Sequence, residues 1–238
     1  MNAVTVAQAV GASSNPGRGI LAGKTPDGER LFLAYFIMGR SVNSRNRVFV
    51  EDGDGLRTLA FDLSKLTDPS LIIYAPVRVH ENRVIVTNGD QTDTVFDALR
   101  AGGTFAGALR SRTFEPDAPN FTPRISAMAT LERGDFSLEM SVLKAADARG
   151  EAALRCHFAY EAVEKGLAYF IHTYRGDGDP LPSFEGEPER VLLPEGCINC
   201  LTDAIWNHLD PENRVALWTR TIHLRTGEVR SRIVNAHS

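Results

Sequence analysis

The sequence of 238 residues predicts an α+β domain in which two mainly antiparallel sheets stack and helices lie outside them. Three observations lead there. Short β-branched or aromatic runs recur in two blocks, one ahead of residue 90 and one beyond residue 124. Polar turns such as Glu51-Asp52-Gly53-Asp54-Gly55 separate the runs. Each block is followed by a stretch with apolar residues at helical spacing, which hints at a duplicated layout without a sequence repeat. A hydrophobic content of 43% and a charged content of 24% leave out global disorder, collagen and coiled coil. With no long linker and no low-complexity tract, residues 1–238 read as a single domain.

Residues 1–14 carry no charge and lack the basic start of a signal peptide, so they read as an ordered or frayed terminal segment. Leu31 to Met38, Arg47 to Val50 and Arg57 to Phe61 read as successive strands. Ser70 to Val79 and Arg83 to Thr87 flank His80-Glu81-Asn82 as a hairpin, which makes the sheet antiparallel. After Asn88-Gly89, Thr92 or Asp93 can cap a helix carrying Val95, Phe96 and Leu99, and Gly102-Gly103 interrupts it before a second helical turn through Leu109. Strands return at Ile125 to Leu131, Phe136 to Leu143, Ala153 to Tyr160 and Ala168 to Tyr174. Pro194 opens a helix with Ile198, Leu201, Ile205 and Leu209 on one face, and Asp210-Pro211 closes it. Val215 to Leu224 and Val229 to Val234 complete the chain as strands.

A formal net charge of -4 speaks against a nucleic-acid binder, and apolar runs far below the roughly 20 residues of a membrane helix speak against a span. A local arginine cluster could still hold one small anion. The three cysteines, Cys156, Cys197 and Cys200, are too few for a disulfide scaffold and read as reduced thiols of a cytoplasmic protein. Cys197 and Cys200 have the spacing of a zinc pair or redox dithiol, but no second pair follows, so they read as thiols packed on a helix. The six histidines are dispersed, and no metal site is expected. Gly23-Lys24-Thr25 resembles the end of a P-loop, yet the first glycine of that motif falls at Arg18 and Pro26-Asp27-Gly28 turns where a helix should begin; it reads as a loop between strands.

Three segments carry chemistry. Arg40-Ser41-Val42-Asn43-Ser44-Arg45-Asn46-Arg47 puts three arginines and several hydroxyl or amide donors in an acid-free run, either an anion cradle or a solvated turn with Arg45 and Arg47 facing water; Arg18 could add its charge. Thr87-Asn88-Gly89-Asp90-Gln91-Thr92-Asp93-Thr94 suits ribose hydroxyls or a carboxamide better than phosphate, which its two acids would repel, or else is a plain capped turn. Glu115-Pro116-Asp117-Ala118-Pro119-Asn120-Phe121-Thr122-Pro123-Arg124 is stiffened by three prolines, which can fix Asp117, Asn120 and Arg124. The proline-rich stretch 174–184 is a lid or a surface loop.

Together, Gly17-Arg18-Gly19, Gly39-Arg40-Ser41 with Asn43-Ser44-Arg45, Thr87-Asn88-Gly89 with Thr92-Asp93-Thr94, and Thr122-Pro123-Arg124-Ile125 resemble the archaeal-type IMP cyclohydrolase family over most of residues 15 to 190. The resemblance implies a four-layer αββα sandwich like that of N-terminal nucleophile hydrolases, without their self-processing nucleophile; Met1-Asn2 agrees with that absence. It implies a cytoplasmic enzyme of de novo purine biosynthesis that closes the ring of 5-formamidoimidazole-4-carboxamide ribonucleotide to IMP and water, with no metal or redox cofactor. The partner expected is the purine-precursor ribonucleotide or IMP, and homo-oligomerisation is left open. By the same resemblance Arg18, Arg40 and Arg45, with Ser41 and Asn43, hold the phosphate, while Asn88, Gly89, Asp90, Thr92 and Asp93, with Asn120 and Arg124, read ribose and base. Tyr74, in Ile72-Ile73-Tyr74, matches a strand tyrosine that can donate to the formyl oxygen, and Asp117 is the proton acceptor or orients the carboxamide. The alternatives are a related enzyme on another nucleotide or amide, and a nucleotide-binding module without catalysis.

Overall fold

The computed structural model describes residues 2–66, 69 and 72–237. In chain order the elements are β1 (Val4–Thr5), α1 (Val6–Val10), β2 (Arg18–Lys24), β3 (Arg30–Met38), α2 (Val42–Arg45), β4 (Val48–Asp52), β5 (Gly55–Leu59), β6 (Val77–His80), β7 (Arg83–Thr87), α3 (Gln91–Arg100) and α4 (Phe105–Leu109). They continue with β8 (Arg124–Glu132), β9 (Asp135–Ala145), β10 (Ala153–Tyr160), β11 (Leu167–His172), β12 (Glu189–Leu192), α5 (Ile198–Trp206), β13 (Arg214–His223) and β14 (Val229–Asn235).

Two seven-stranded sheets result, ordered β1-β12-β11-β2-β3-β13-β14 and β10-β9-β8-β7-β6-β5-β4. Among the described strands β1 and β12 pair in parallel, and the other pairings are antiparallel. The alternation of side chains along β3 shows how the sheets stack. Leu31, Leu33, Tyr35 and Ile37 join one apolar cluster with Val84, Val86, Ile125 and Leu138 of the other sheet. Phe32, Ala34, Phe36 and Met38 point the other way and pack with Val6, Val10, Leu201 and Ile205 of α1 and α5. On the far side, Val95, Leu99, Phe105 and Leu109 of α3 and α4 cover Ile85, Met128 and Leu143. A strand buried on both faces reads as an unbroken apolar run, which is why Leu31 to Met38 was plain in the sequence.

Of the two readings of the amino-terminal segment the ordered one holds, with a capping box between Thr5 and Gln8 at the start of α1. Several expectations need correction. Gly23 and Lys24 belong to β2, a strand hidden by its glycines, rather than to a loop. The hairpin around His80-Glu81-Asn82 forms, but its first strand begins only at Val77; Ser70 and Leu71 lie outside the described residues. Tyr74 is therefore not in a strand, although its backbone is held by Thr58, whose Oγ1 accepts from the Tyr74 N–H at 2.9 Å. Asp90, rather than Thr92 or Asp93, occupies the position before α3. The last helix starts after Cys197 instead of at Pro194 and ends at Trp206, short of Leu209. The apparent duplication dissolves, because β2 and β3 pair with the carboxy-terminal strands while β4 to β10 make the second sheet. No helix of the described residues is long and apolar enough to cross a membrane.

Candidate active site

The antiparallel register places the start of β2, the end of β3 and the end of β11 at one edge: Arg18 faces Ile37, and Gly19 faces both Phe36 and His172. The segments that leave this edge, with the proline-rich loop that enters β8, enclose a cleft of about 290 Å³. Strand ends thus supply rigid anchors and loops supply polar groups.

Arg18 opens β2 and lines the cleft. Its Nη2 donates to Glu115 Oε1 at 2.7 Å, while Nε is buried without a partner. Burial opposes the charge on Arg18, but the neighbouring Glu115 favours it and the guanidinium stays protonated. Burial also pushes the Glu115 carboxyl up, against the pull of Arg18. Arg47, only 2% exposed, lines the same cleft. Its Nε donates to the Ser44 carbonyl at 2.9 Å, and among the described residues no carboxylate forms an ion pair with it. Burial lowers its pKa, with Arg18 adding to the effect, yet an arginine remains charged at neutral pH. A buried cation without a counter-ion is costly, so an anion in the cleft would relieve it. Arg40 sits at the exposed rim, 3.5 Å from Asp177, and the hydroxyls of Ser41 and Ser44 complete this side.

The opposite wall carries a hydrogen-bond chain. Asp117 accepts from the Thr122 N–H at 2.7 Å and from the Thr122 hydroxyl. The Thr122 oxygen is then free to accept from the Tyr174 hydroxyl, giving a chain Tyr174, Thr122, Asp117, all three lining the cleft. Burial raises the Tyr174 pKa and keeps the phenol protonated. Gly17 is what lets Tyr174 lie so close: its φ is +77°, and a Cβ there would meet the Tyr174 ring at 2.6 Å. Asn120 Oδ1 accepts from the Leu181 N–H at 3.0 Å and joins two of the cleft loops. Asn15 Oδ1, also in the lining, is buried without a partner. Beneath the arginines the hydroxyls of Tyr35 and Tyr74 lie 2.7 Å apart.

The sequence model for an IMP cyclohydrolase-like protein matches residues 15–227 of this chain. The chain belongs to the IMP cyclohydrolase-like family. An IMP cyclohydrolase of Methanopyrus kandleri is 37% identical over 180 residues, which cover 71% of this chain and 88% of the relative. One from Methanococcus aeolicus is 28% identical over 162 residues, 66% of this chain and 73% of the relative.

For this member of the IMP cyclohydrolase-like family, the structure divides the residues singled out in the sequence into two sets. Arg18, Arg40, Ser41, Asp117 and Asn120 line the cleft. Tyr74 does not; it lies behind the lining, bonded to Tyr35. Arg45 is spent on the fold, donating to the Gly39 carbonyl at 2.9 Å and to Asn213 Oδ1 at 3.2 Å, and Asn43 is absent from the lining. The segment from Asn88 to Asp93 also lies outside it, because its polar groups are taken up internally. Asn88 Oδ1 accepts from the Ile125 N–H at 2.9 Å, Thr92 Oγ1 donates to the Gly89 carbonyl at 2.9 Å, and Arg78 Nε donates to Asp93. Arg124 Nη1 donates to Asp90 Oδ1 and Gln91 Oε1, both at 2.7 Å, so this segment fixes the start of β8 next to Thr122. Sequence reasoning gave no site role to Thr122, Tyr174 or Glu115. The sequence left Arg47 between the anion cradle and a solvated turn; in the structure it precedes β4 and is buried, as is Phe49 two residues on.

Proposed function

We propose that this chain is an IMP cyclohydrolase of purine biosynthesis, closing the ring of 5-formamidoimidazole-4-carboxamide ribonucleotide to IMP and water. The observation that carries the reading is the cleft itself: the buried Arg47, without a carboxylate partner among the described residues, and the partly buried Arg18 face an Asp117–Thr122–Tyr174 hydrogen-bond chain in a member of this family. The family membership and the relatives' activity support it. The chain acts as one domain over residues 1–238, with the four-layer αββα arrangement of N-terminal nucleophile hydrolases; the apolar clusters between and outside the sheets support this.

In the reaction the carboxamide nitrogen attacks the formyl carbon, and the formyl oxygen leaves as water. That oxygen collects one proton from the carboxamide nitrogen and one from the formamide nitrogen. Arg47 and Arg18, with Arg40 at the rim, hold the phosphate and place the ribonucleotide. Asp117 accepts the proton from the attacking nitrogen and passes it through Thr122 to Tyr174, which has donated to the formyl oxygen; in the dehydration half the same relay carries the formamide-nitrogen proton to that oxygen, which leaves as water. The donor role thus passes from Tyr74 to Tyr174, which lines the cleft. Tyr74, with Tyr35, supports the two arginines from behind. Asn120 and Asn15 read the base or ribose.

The test is to incubate the purified protein with the formamido ribonucleotide and follow IMP above the spontaneous rate. No acceleration at saturating substrate overturns the proposal. In an active protein, Tyr174→Phe should lower kcat by about 100-fold with KM little changed. If Tyr74→Phe has that effect and Tyr174→Phe does not, the donor is Tyr74.

A further inference from the structure

The cysteine pair of α5 lies outside the cleft, and neither thiol is packed away as the sequence suggested. Cys197 and Cys200 are both exposed, with their sulfurs 3.5 Å apart. Cys197 occupies the position before the first turn of a nine-residue helix, and Cys200 falls three residues on, so the helix aims both thiols to one side. Gly196 makes room for this arrangement: its φ is +123°, and a Cβ there would meet Cys200 Cβ and Sγ at 2.9 Å. The backbone N–H of Cys200, its thiol and the N–H of Asn199 hold the Cys197 thiol below the usual range. Among the described residues no group of three or more His, Cys, Asp or Glu side chains is placed to hold a metal ion, so the two thiols have each other as chemical partner.

Beside Cys197 is a hollow of about 150 Å³ lined also by Arg30 and Arg230, with Asp27 the one carboxylate in its lining. Glu228 accepts from both arginines, from Arg30 Nη2 at 2.9 Å and from Arg230 Nε at 2.7 Å, while Arg30 Nη1 is buried without a partner. An anionic group on an incoming molecule would meet that unpaired donor while a sulfur of the same molecule reached Cys197.

We propose that Cys197 and Cys200 are a redox-active dithiol, oxidised to an intramolecular disulfide by a small carboxylate-bearing disulfide that docks in the Arg30–Arg230 hollow. The Cys197 thiolate attacks one sulfur of the oxidant. The oxidant's S–S bond breaks, one half leaves as a thiolate, and a mixed disulfide remains on Cys197. Cys200, having given its proton to water, attacks Cys197 Sγ; the mixed bond breaks and the second half leaves. Two protein thiols are oxidised by two electrons, and the oxidant is reduced to two thiols. The sulfurs need only close from 3.5 Å to a bond of about 2.05 Å.

The experiment needs no catalytic assay, so its outcome is independent of the function proposed above. The purified full-length chain is incubated at neutral pH with oxidised glutathione and mapped by peptide mass. The expected product is a Cys197–Cys200 disulfide that dithiothreitol reverses, with the half-buried Cys156 left as a thiol. Cys200→Ser should trap glutathione on Cys197, and Cys197→Ser should react at Cys200 about threefold or more slowly, since thiolate gain is partly offset by weaker nucleophilicity. Cystamine, a cationic disulfide, should react about threefold or more slowly than oxidised glutathione with the unaltered chain. Two intact thiols after incubation, or no adduct on the Cys200→Ser variant, overturns the dithiol. Equal or faster reaction with cystamine overturns the anionic subsite.

Discussion

At the scale of single residues the cleft is decided by what is left unpaired. Arg47 costs the fold a buried charge with which, among the described residues, no carboxylate forms an ion pair, a cost that a ligand's anion would relieve. A charge-assisted hydrogen bond contributes about 1.5–3 kcal/mol, so Arg47→Met should raise KM about tenfold to a hundredfold. The same variant should melt at an unchanged or higher temperature, because an apolar chain of similar length replaces an uncompensated charge. Steady-state kinetics and a thermal scan check both halves; a lower melting temperature with unchanged KM would make Arg47 a structural brace. Gly17→Ala tests the other wall. A side chain at a φ of +77° strains the backbone and displaces the Tyr174 ring, so kcat should fall about tenfold or more with the fold retained by circular dichroism. The acid-free run from Arg40 to Arg47 was legible as an anion site, but not which of its arginines turns inward. Arg47 is buried with Phe49, two residues on, whereas Arg45 ends α2 and is bonded to the Gly39 carbonyl and to Asn213 Oδ1, the latter a partner distant in sequence.

At the scale of elements, the segment between β7 and α3 holds other parts in place instead of meeting a ligand. Asp90 joins Arg112, beyond α4, to Arg124 at the start of β8. Partial burial alone would raise its carboxyl pKa, but the two guanidinium groups outweigh that and hold it below the usual carboxylate range. A depressed carboxylate contributes stability above its unfolded pKa and loses it as pH falls through the folded value. Because Asp90 is half exposed, that contribution is about 1 kcal/mol or less. Asp90→Asn should therefore lower the urea midpoint slightly at pH 7, and the gap should close as pH falls below about 4; a gap that widens in acid would refute the ion-pair account. The sequence marked this segment as polar and turn-like. Whether its polar groups served a ligand or each other depended on the nearness of Pro123, Arg124 and Ile125, more than 30 residues along the chain.

At the scale of the whole molecule, the first sheet is closed by the end of the chain. β13 lies between β3 and β14, and Val215, Leu217, Trp218 and Ile222 are buried there. At roughly 1.5–3 kcal/mol for each such side chain, their loss rivals the roughly 5–15 kcal/mol of a whole domain. A chain ending at residue 211 should therefore show no cooperative thermal transition by circular dichroism. A truncated chain that still melts cooperatively would mean that the amino-terminal strands form a core without β13.

The sequence by itself determined most strands, the helical stretches after each block, the two-sheet class and, through a set of glycine, arginine and threonine motifs, the family. These depend on local periodicity, turn chemistry and short spacings, which a linear sequence carries directly. Tertiary structure alone decided that β2 and β3 pair with strands from the far end of the chain, that Arg47 and Tyr174 rather than Arg45 and Tyr74 reach the cleft, and that the thiols of Cys197 and Cys200 face outward. The physical reason is common to all three: strand order, side-chain facing and burial are set by contacts between residues distant in sequence, and no local pattern encodes them.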